Sequence, residues 1–255
     1  MLKIRNLSKT FNIGTENEIN IFDKLNLEIE SKECVSIIGS NGCGKSTLLN
    51  MIGGSVLSDN GEIMLDDINL SSLKEEDRSV YIGRVYQDPS MGVASSLTIL
   101  ENMSLADKKG EKFTLKKLIK KDKINSYKKL LKDLDLGLEN KLNTKVKFLS
   151  GGQRQALSLI MATMKYPKLL LLDEHTAALD PKTSKVIMKK TKELIKKCSI
   201  TTVMISHNMK DAINYSNRII MLDRGKIILD KPSTDVTEDE LVGIYKSKLN
   251  EQGIY

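Results

Sequence analysis

The sequence of 255 residues predicts an α/β fold with an antiparallel β subdomain near the N-terminus and an inserted helical subdomain. Three observations support this class. Residues 1–33 alternate apolar and polar positions, residues 34–52 show a strand, a glycine-rich loop and a helix, and strands alternate with helices after residue 167. We therefore expect one domain, in which residues 1–87 and 167–255 form the core and residues 88–166 the helical subdomain.

The N-terminal half supplies the first predicted elements. Apolar pairs such as Leu2 and Ile4 indicate short, half-buried antiparallel strands. Cys34–Ile38 is continuously apolar, as a strand buried on both faces would be, and Ser46–Ile52 has a helical pattern. Asn60 followed by Gly61 predicts a turn between two strands.

The middle of the chain changes character after a predicted strand at Val80–Tyr86. Asp88–Tyr166 shows mostly helical patterns, and its lysine-rich run Asp107–Asp133 is best interpreted as a solvated helical face. A weaker alternative places this run near anionic lipid.

The C-terminal part returns to alternating strands and helices, which favours a parallel sheet covered by helices. A hairpin is expected around Arg224 and Gly225, and a capped helix after Thr237. The other predicted elements here are the strand Leu169–Leu172, the helix Pro181–Lys197 and the strand Thr201–Ser206.

Composition excludes several classes of protein. No apolar run approaches the roughly 20 residues needed to cross a bilayer, and no apolar secretory signal is visible, so we expect a cytosolic protein. The net charge of +7 comes from 34 Lys and only 6 Arg with 4% aromatic residues, which argues against nucleic acid as a partner. The three cysteines show no CxxC spacing and are expected to be reduced thiols.

A phosphate-binding loop is the clearest chemical signal. The stretch GSNGCGKST matches G-x-x-x-x-G-K-[ST] between a predicted strand and a predicted helix, which indicates a P-loop NTPase core that binds a nucleoside triphosphate. Lys45 is expected to bridge the β and γ phosphates, and the Ser46 hydroxyl to bind Mg²⁺. The loop residues are Gly39, Ser40, Asn41, Gly42, Cys43, Gly44, Lys45, Ser46 and Thr47.

Two carboxylates follow the strand of four leucines. Asp173 suits a water-mediated contact with Mg²⁺, and Glu174 suits a base that polarises the attacking water. His207 ends the next predicted strand and could contact the γ-phosphate or that water, although a histidine there is more often structural. Gln87 follows the strand at Val80–Tyr86 and carries no signal by itself.

A second glycine pair opens a helix in LSGGQRQALSLIMA, Leu149 to Ala162. Helix N-termini turn free N–H groups and a positive dipole end toward an anion. One nucleotide needs one such cradle, so the second predicts another phosphate contact.

These motifs, in this order, resemble the ATPase subunit of an ATP-binding cassette (ABC) transporter, over nearly the whole chain. The resemblance implies ATP and Mg²⁺ as cofactors, Gln87 as a catalytic and metal-binding residue, and His207 as a switch residue. It also implies that Phe11 stacks on adenine where relatives usually have tyrosine. The further nucleotide contacts implied are Ser150, Gly151, Gly152, Gln153 and Asp180. No role follows for His175.

The resemblance further implies a head-to-tail homodimer with two ATP molecules between the chains, each bound by the phosphate loop of one and the signature Leu149–Gln153 of the other. Separate membrane permease subunits would anchor it at the inner face of the cell membrane, with the segment Gln87–Glu101 receiving a permease helix. DEHTAALDPKT is similar to the ATPase component of bacterial tryptophan or tyrosine uptake systems, which also use an extracellular substrate-binding protein. The alternative is a soluble, non-transport ABC ATPase, such as one used in iron–sulfur cluster assembly.

Overall fold

The computed structural model describes residues 1–111 and 117–251. The chain divides into two compact units, Met1–Arg78 with Ile200–Tyr255, and Ser79–Ser199. We call these the first and the second unit. The predicted division at residues 88–166 differs from this one and stays a prediction.

The secondary structure is that of an α/β protein. The strands are β1 (Leu2–Phe11), β2 (Ile19–Ile29), β3 (Cys34–Gly39), β4 (Asn60–Leu65), β5 (Ile68–Asn69), β6 (Ile82–Val85), β7 (Leu169–Asp173), β8 (Thr201–Ile205), β9 (Arg218–Asp223) and β10 (Lys226–Pro232). The helices are α1 (Lys45–Gly53), α2 (Glu75–Arg78), α3 (Ile99–Asp107), α4 (Ile124–Lys132), α5 (Gly151–Thr163), α6 (Pro181–Cys198), α7 (Met209–Tyr215) and α8 (Glu238–Glu251).

The first unit contains an antiparallel sheet in the order β2-β1-β4-β5. Leu2 pairs with Ile29 and Ile4 with Leu27, so the apolar positions of β1 and β2 face the same core, as the alternation predicts. The expected turn at Asn60–Gly61 is wrong, because these residues begin β4. The pairing of β1 with β4 shifts register there, and Gly61 has a φ of 87°, so the glycine accommodates an irregularity in the ladder.

The same unit also holds the strands that lead to the phosphate loop. β3 pairs in parallel with β8 on one side and with β9 on the other. β9 and β10 form the predicted hairpin, with positive φ at Arg224 and Gly225. β3 is buried along Cys34–Ile38, which explains its continuous apolar sequence.

The second unit combines the parallel strands β6 and β7 with α3, α4, α5 and α6. Its apolar core includes Ile99, Leu131, Leu157 and Ile187. The strand predicted at Val80–Tyr86 is shorter than expected, because only Ile82–Val85 pairs with β7.

The lysine-rich run of this unit is only partly the predicted helical face. In α4, Tyr127 and Leu131 are buried while lysines point to solvent, as expected for a solvated face. Lys121–Lys123 forms a 3₁₀ turn, and residues 112–116 of the run lie outside the described residues.

The last helix, α8, begins with the predicted cap. The backbone N–H of Glu240 donates to the Thr237 hydroxyl at 3.2 Å.

Within the described ranges, no helix is both long and apolar enough to span a bilayer.

Candidate ATP-binding and hydrolytic site

The phosphate loop joins the end of β3 to the start of α1 within the first unit. Two of its glycines, Gly39 and Gly44, are required by close neighbours. A Cβ at Gly39 would overlap the carbonyl oxygen of Leu222, and one at Gly44 would lie 2.7 Å from Cζ of Phe22. Gly44 also has a φ of 109°, which favours glycine. The loop is therefore held in its shape by β2 and β9.

Three hydrogen bonds strengthen this support. The backbone N–H of Gly225, in the β9–β10 turn, donates to the carbonyl of Cys43 at 3.1 Å. Lys45 is only 5% exposed, and its Nζ donates to the carbonyls of Gly39 and Ser40, each at 2.8 Å. The ammonium is thus fixed inside the loop, where phosphate oxygens could replace the carbonyls as its partners.

Cys43 is buried within the same loop, with Sγ 3.8 Å from Nζ of Lys45. Burial raises the pKa of its thiol, and this outweighs the opposite effect of the Lys45 charge. The thiol is therefore neutral near pH 7 and serves as a small apolar filler.

The two carboxylates of the second unit lie at and just after the end of β7. Asp173 is the last residue of the strand, and one of its oxygens is 3.6 Å from Nη2 of Arg84 on β6. Glu174 has a φ of 45°, a left-handed conformation that is unusual for a residue with a side chain. This conformation turns the chain directly after the strand.

His175 explains how this turn is held. Its ring is 2% exposed, and Nε2 lies 3.1 Å from the hydroxyl of Thr191 on α6. That hydroxyl donates to the carbonyl of Ile187 at 2.8 Å, so it must accept from His175, which assigns the proton to Nε2. Burial lowers the pKa of His175 to about 4. The neutral side chain of His175, the residue next to Glu174, is thus hydrogen-bonded to α6.

We expect this buried histidine to make folding sensitive to acid. The pKa falls from 6.5 to about 4 on folding, so the unfolded chain holds more protons between these values and stability decreases as pH falls. Lowering the pH from 7.5 to 5 should reduce the free energy of unfolding by about 2 kcal/mol through this group. Urea titrations at both pH values measure the loss.

The matched control is His175→Gln, which keeps a donor for Thr191 and does not titrate. Its loss of stability over the same pH range should be smaller by about 2 kcal/mol. Equal losses in the two proteins would show that His175 is protonated alike in the folded and unfolded states.

The second glycine pair opens α5 in the second unit. Ser150 caps the helix by accepting from the backbone N–H of Gln153 at 3.2 Å, and the Gln153 side chain accepts from the backbone N–H of Ser150. The capping box uses the amide of Gln153, whereas the amides of Gly151 and Gly152, at the first two helical positions, have no acceptor within the helix. They can bind an anion.

Neighbouring contacts fix the position of α5. Nε2 of Gln153 donates to the carbonyl of Leu136 at 3.2 Å. Nε2 of Gln155, which is fully buried, donates to the carbonyl of Tyr86 at 3.0 Å. The signature helix is therefore hydrogen-bonded to the residue that precedes Gln87.

The remaining predicted residues lie at the ends of elements. Phe11 ends β1, with Nζ of Lys9 5.2 Å from the centroid of its ring. Gln87 and His207 are exposed, just after β6 and β8. Asp180 caps α6 by accepting from the backbone N–H groups of Lys182 and Thr183, and these hydrogen bonds, chiefly those from Thr183, lower its pKa.

Among the predicted residues, the structure brings Lys45 together with Gly39, Ser40 and Cys43 in the first unit. Asp173, Glu174 and the signature belong to the second unit. Sequence reasoning missed Arg84, Gln155 and the contact of His175 with Thr191. The only available signal was an arginine inside an otherwise apolar strand.

Comparison with known proteins matches this arrangement to one family. A family model described as ABC transporter matches residues 22–177. The tyrosine transport ATP-binding protein of Clostridioides difficile is 47% identical over 95% of this chain and 97% of its own length. A phosphonates import ATP-binding protein of Ruegeria sp. is 35% identical over 96% of this chain and 94% of its own.

A similar solved structure also belongs to an ATP-binding cassette. It is a dimeric ATP-binding cassette in a post-hydrolysis state, bound to ADP and Pi. It is 32% identical to this chain, with a TM-score of 0.78, and the match covers 91% of this chain and 99% of that one.

Proposed function

The chain belongs to the ABC transporter family and is an ATP-binding subunit that hydrolyses ATP, and from this premise we propose that it drives uptake of a small solute. The first substrate class to test is the aromatic amino acids. The observation that carries this proposal is the 47% identity, over almost the full length of both chains, to a tyrosine transport ATP-binding protein.

The phosphate loop supports binding of ATP in the first unit. Lys45 would exchange its carbonyl partners for β- and γ-phosphate oxygens, and the loop amides would hold the remaining phosphate oxygens. Phe11 would stack on the adenine ring through its apolar face.

The donors available suit magnesium. The part of the chain that the structure describes contains no cluster of three or more His, Cys, Asp or Glu able to hold a metal by itself. Mg²⁺ needs no such cluster, since it keeps several waters and binds one or two protein oxygens together with nucleotide phosphates. Ser46, Asp173 and Gln87 would be those protein groups. When bound, the ion would neutralise charge on the phosphates.

Hydrolysis would depend on Glu174. Its carboxylate would accept a hydrogen bond from the attacking water and orient it toward the γ-phosphate. The tie between His175 and Thr191 would hold the backbone beside this carboxylate in the required left-handed turn. His207 would contact the γ-phosphate or the attacking water.

Two copies of the chain would act together. The amides of Gly151 and Gly152 would bind the γ-phosphate of an ATP held by the phosphate loop of the other copy. Two-fold symmetry would build both sites from one pair of surfaces. The dimeric cassette with ADP and Pi supports this arrangement.

Coupling to transport would use the segment Gln87–Glu101. Met91 in this segment is 67% exposed, which suits an apolar contact with a helix of a membrane permease. The permease would hold the chain at the inner face of the membrane, and an extracellular substrate-binding protein would deliver the solute.

The test is co-expression with a multispan membrane protein encoded by a neighbouring gene. We expect the two proteins to purify together and, in vesicles, to accumulate labelled tyrosine or tryptophan when ATP is supplied on the side of this chain. Met91→Glu should weaken the association, whereas Leu57→Glu, at an exposed apolar residue of the first unit, should not. Full ATPase activity without association with a membrane protein would favour a soluble ABC ATPase instead.

A further inference from the structure

Arg84 is a charged residue within a strand that is otherwise apolar. Parallel pairing places Arg84 opposite Leu171, and side chains alternate along each strand, so Arg84 lies on the same face as Asp173 two residues further on. This register explains the ion pair between Nη2 of Arg84 and Oδ2 of Asp173 at 3.6 Å. The pair is mostly buried, with side chains 13% and 16% exposed.

The guanidinium is held in place by a second contact. Cζ of Arg84 lies 4.6 Å from the centroid of the Tyr86 ring, within the range of a cation–π interaction. The backbone of Tyr86 is itself fixed by the hydrogen bond from Gln155 of α5. Arg84 is therefore a positioned cation and not a mobile surface charge.

We propose that Arg84 is a positioning residue that lowers the affinity of the Asp173 carboxylate for Mg²⁺ and so favours release of the ion with ADP. This inference rests on the proposed role of Asp173 in holding Mg²⁺. A resident positive charge at one carboxylate oxygen repels a second cation.

The size of the effect follows from two opposing contributions. A cation within about 4–6 Å commonly lowers a carboxylate's affinity for a proton tenfold or more, and Mg²⁺ meets the same electrostatic repulsion. Loss of the pair also frees the rotamer of a short side chain, which opposes this by a smaller factor. Charge therefore dominates, and removal of Arg84 strengthens Mg²⁺ binding.

The experiment measures the Mg²⁺ concentration that gives half of the fluorescence change of a bound fluorescent ADP analogue, with the full chain. Arg84→Met and Arg84→Gln, which remove the charge, should lower this concentration about tenfold. Arg84→Lys keeps the charge and should stay within about threefold of the original protein. The thermal midpoint without nucleotide identifies any variant that fails to fold, and either neutral variant is sufficient.

Asp173→Asn separates this inference from its premise. It should raise the half-saturating Mg²⁺ concentration, and Arg84→Met should have little further effect in that background. If Asp173→Asn raises the concentration but neither neutral variant at Arg84 lowers it, the ion pair is structural only and the inference is overturned. If Asp173→Asn changes nothing, Asp173 does not hold Mg²⁺, and the proposed metal site fails together with the inference.

Discussion

Replacing Glu174 by Gln should slow ATP hydrolysis by about 10²–10⁴ while ATP binding is kept, which is the range for loss of a general base. Gln fills the same space and keeps an oxygen that can accept a hydrogen bond, but it cannot take the proton. The phosphate loop belongs to the other unit of the chain and is unchanged, so affinity for ATP should stay near that of the original protein. Steady-state release of phosphate and equilibrium binding of ATP measure the two effects.

Glu193→Gln is the matched control, because it makes the same change on an exposed side chain of α6 in the same unit. Its hydrolysis rate should be unaltered. Normal turnover in Glu174→Gln would remove Glu174 from its proposed role, and lost ATP binding would show that the change disturbs more than the base.

The second large effect is recovery of activity when two inactive variants are mixed. Lys45→Ala removes the ammonium from the phosphate loop, and Gly151→Asp places a carboxylate at the start of α5. In a mixed dimer both defects fall in one site, and the other site combines an intact loop with an intact signature. An equimolar mixture contains about half mixed dimers, each with one intact site, so about a quarter of the original activity should return if the sites fire independently.

Gly151 is a better position than Gly152 for this experiment. A Cβ at Gly152 would overlap Cγ2 of Thr183 in the same unit, so a substitution there would disturb packing. A Cβ at Gly151 meets only Cδ2 of Leu179, at an ordinary contact distance of 3.5 Å. An acidic residue in the first turn also stabilises its own helix, so the variant should fold and fail only against an anion.

Gly151→Ser provides the control for size without charge and should keep most activity. The two inactive variants are each assayed alone, then mixed and measured for phosphate release and for ATP-dependent dimers. If the signature served an ATP on its own chain, every site in the mixture would carry one defect and nothing would recover.

Much of the fold could be predicted because its signals are local. Alternation in residues 1–33 and the buried run Cys34–Ile38 each reflect the faces that those strands bury. The hairpin at Arg224–Gly225 was likewise predictable from its turn residues. Asn60–Gly61 has equally good turn residues, yet it begins β4, because pairing with β1 has a greater effect there than local turn preference.

The candidate site likewise has features that the local sequence predicts and features that it does not. The phosphate loop and the capping box at Ser150 follow from residues close together in the sequence. The pair of Arg84 with Asp173 and the bond from His175 to Thr191 join residues on different elements, and no spacing rule predicts them. They depend on strand register and on which face of α6 is buried, which only the tertiary structure shows.

The native mass of Glu174→Gln, measured with and without ATP, tests whether two copies of the chain hold two ATP molecules between them. With ATP and Mg²⁺ we expect a particle of two chains with two ATP molecules, and without nucleotide a single chain. A single chain carrying one ATP under both conditions, at concentrations where ATP is saturating, would contradict this expectation.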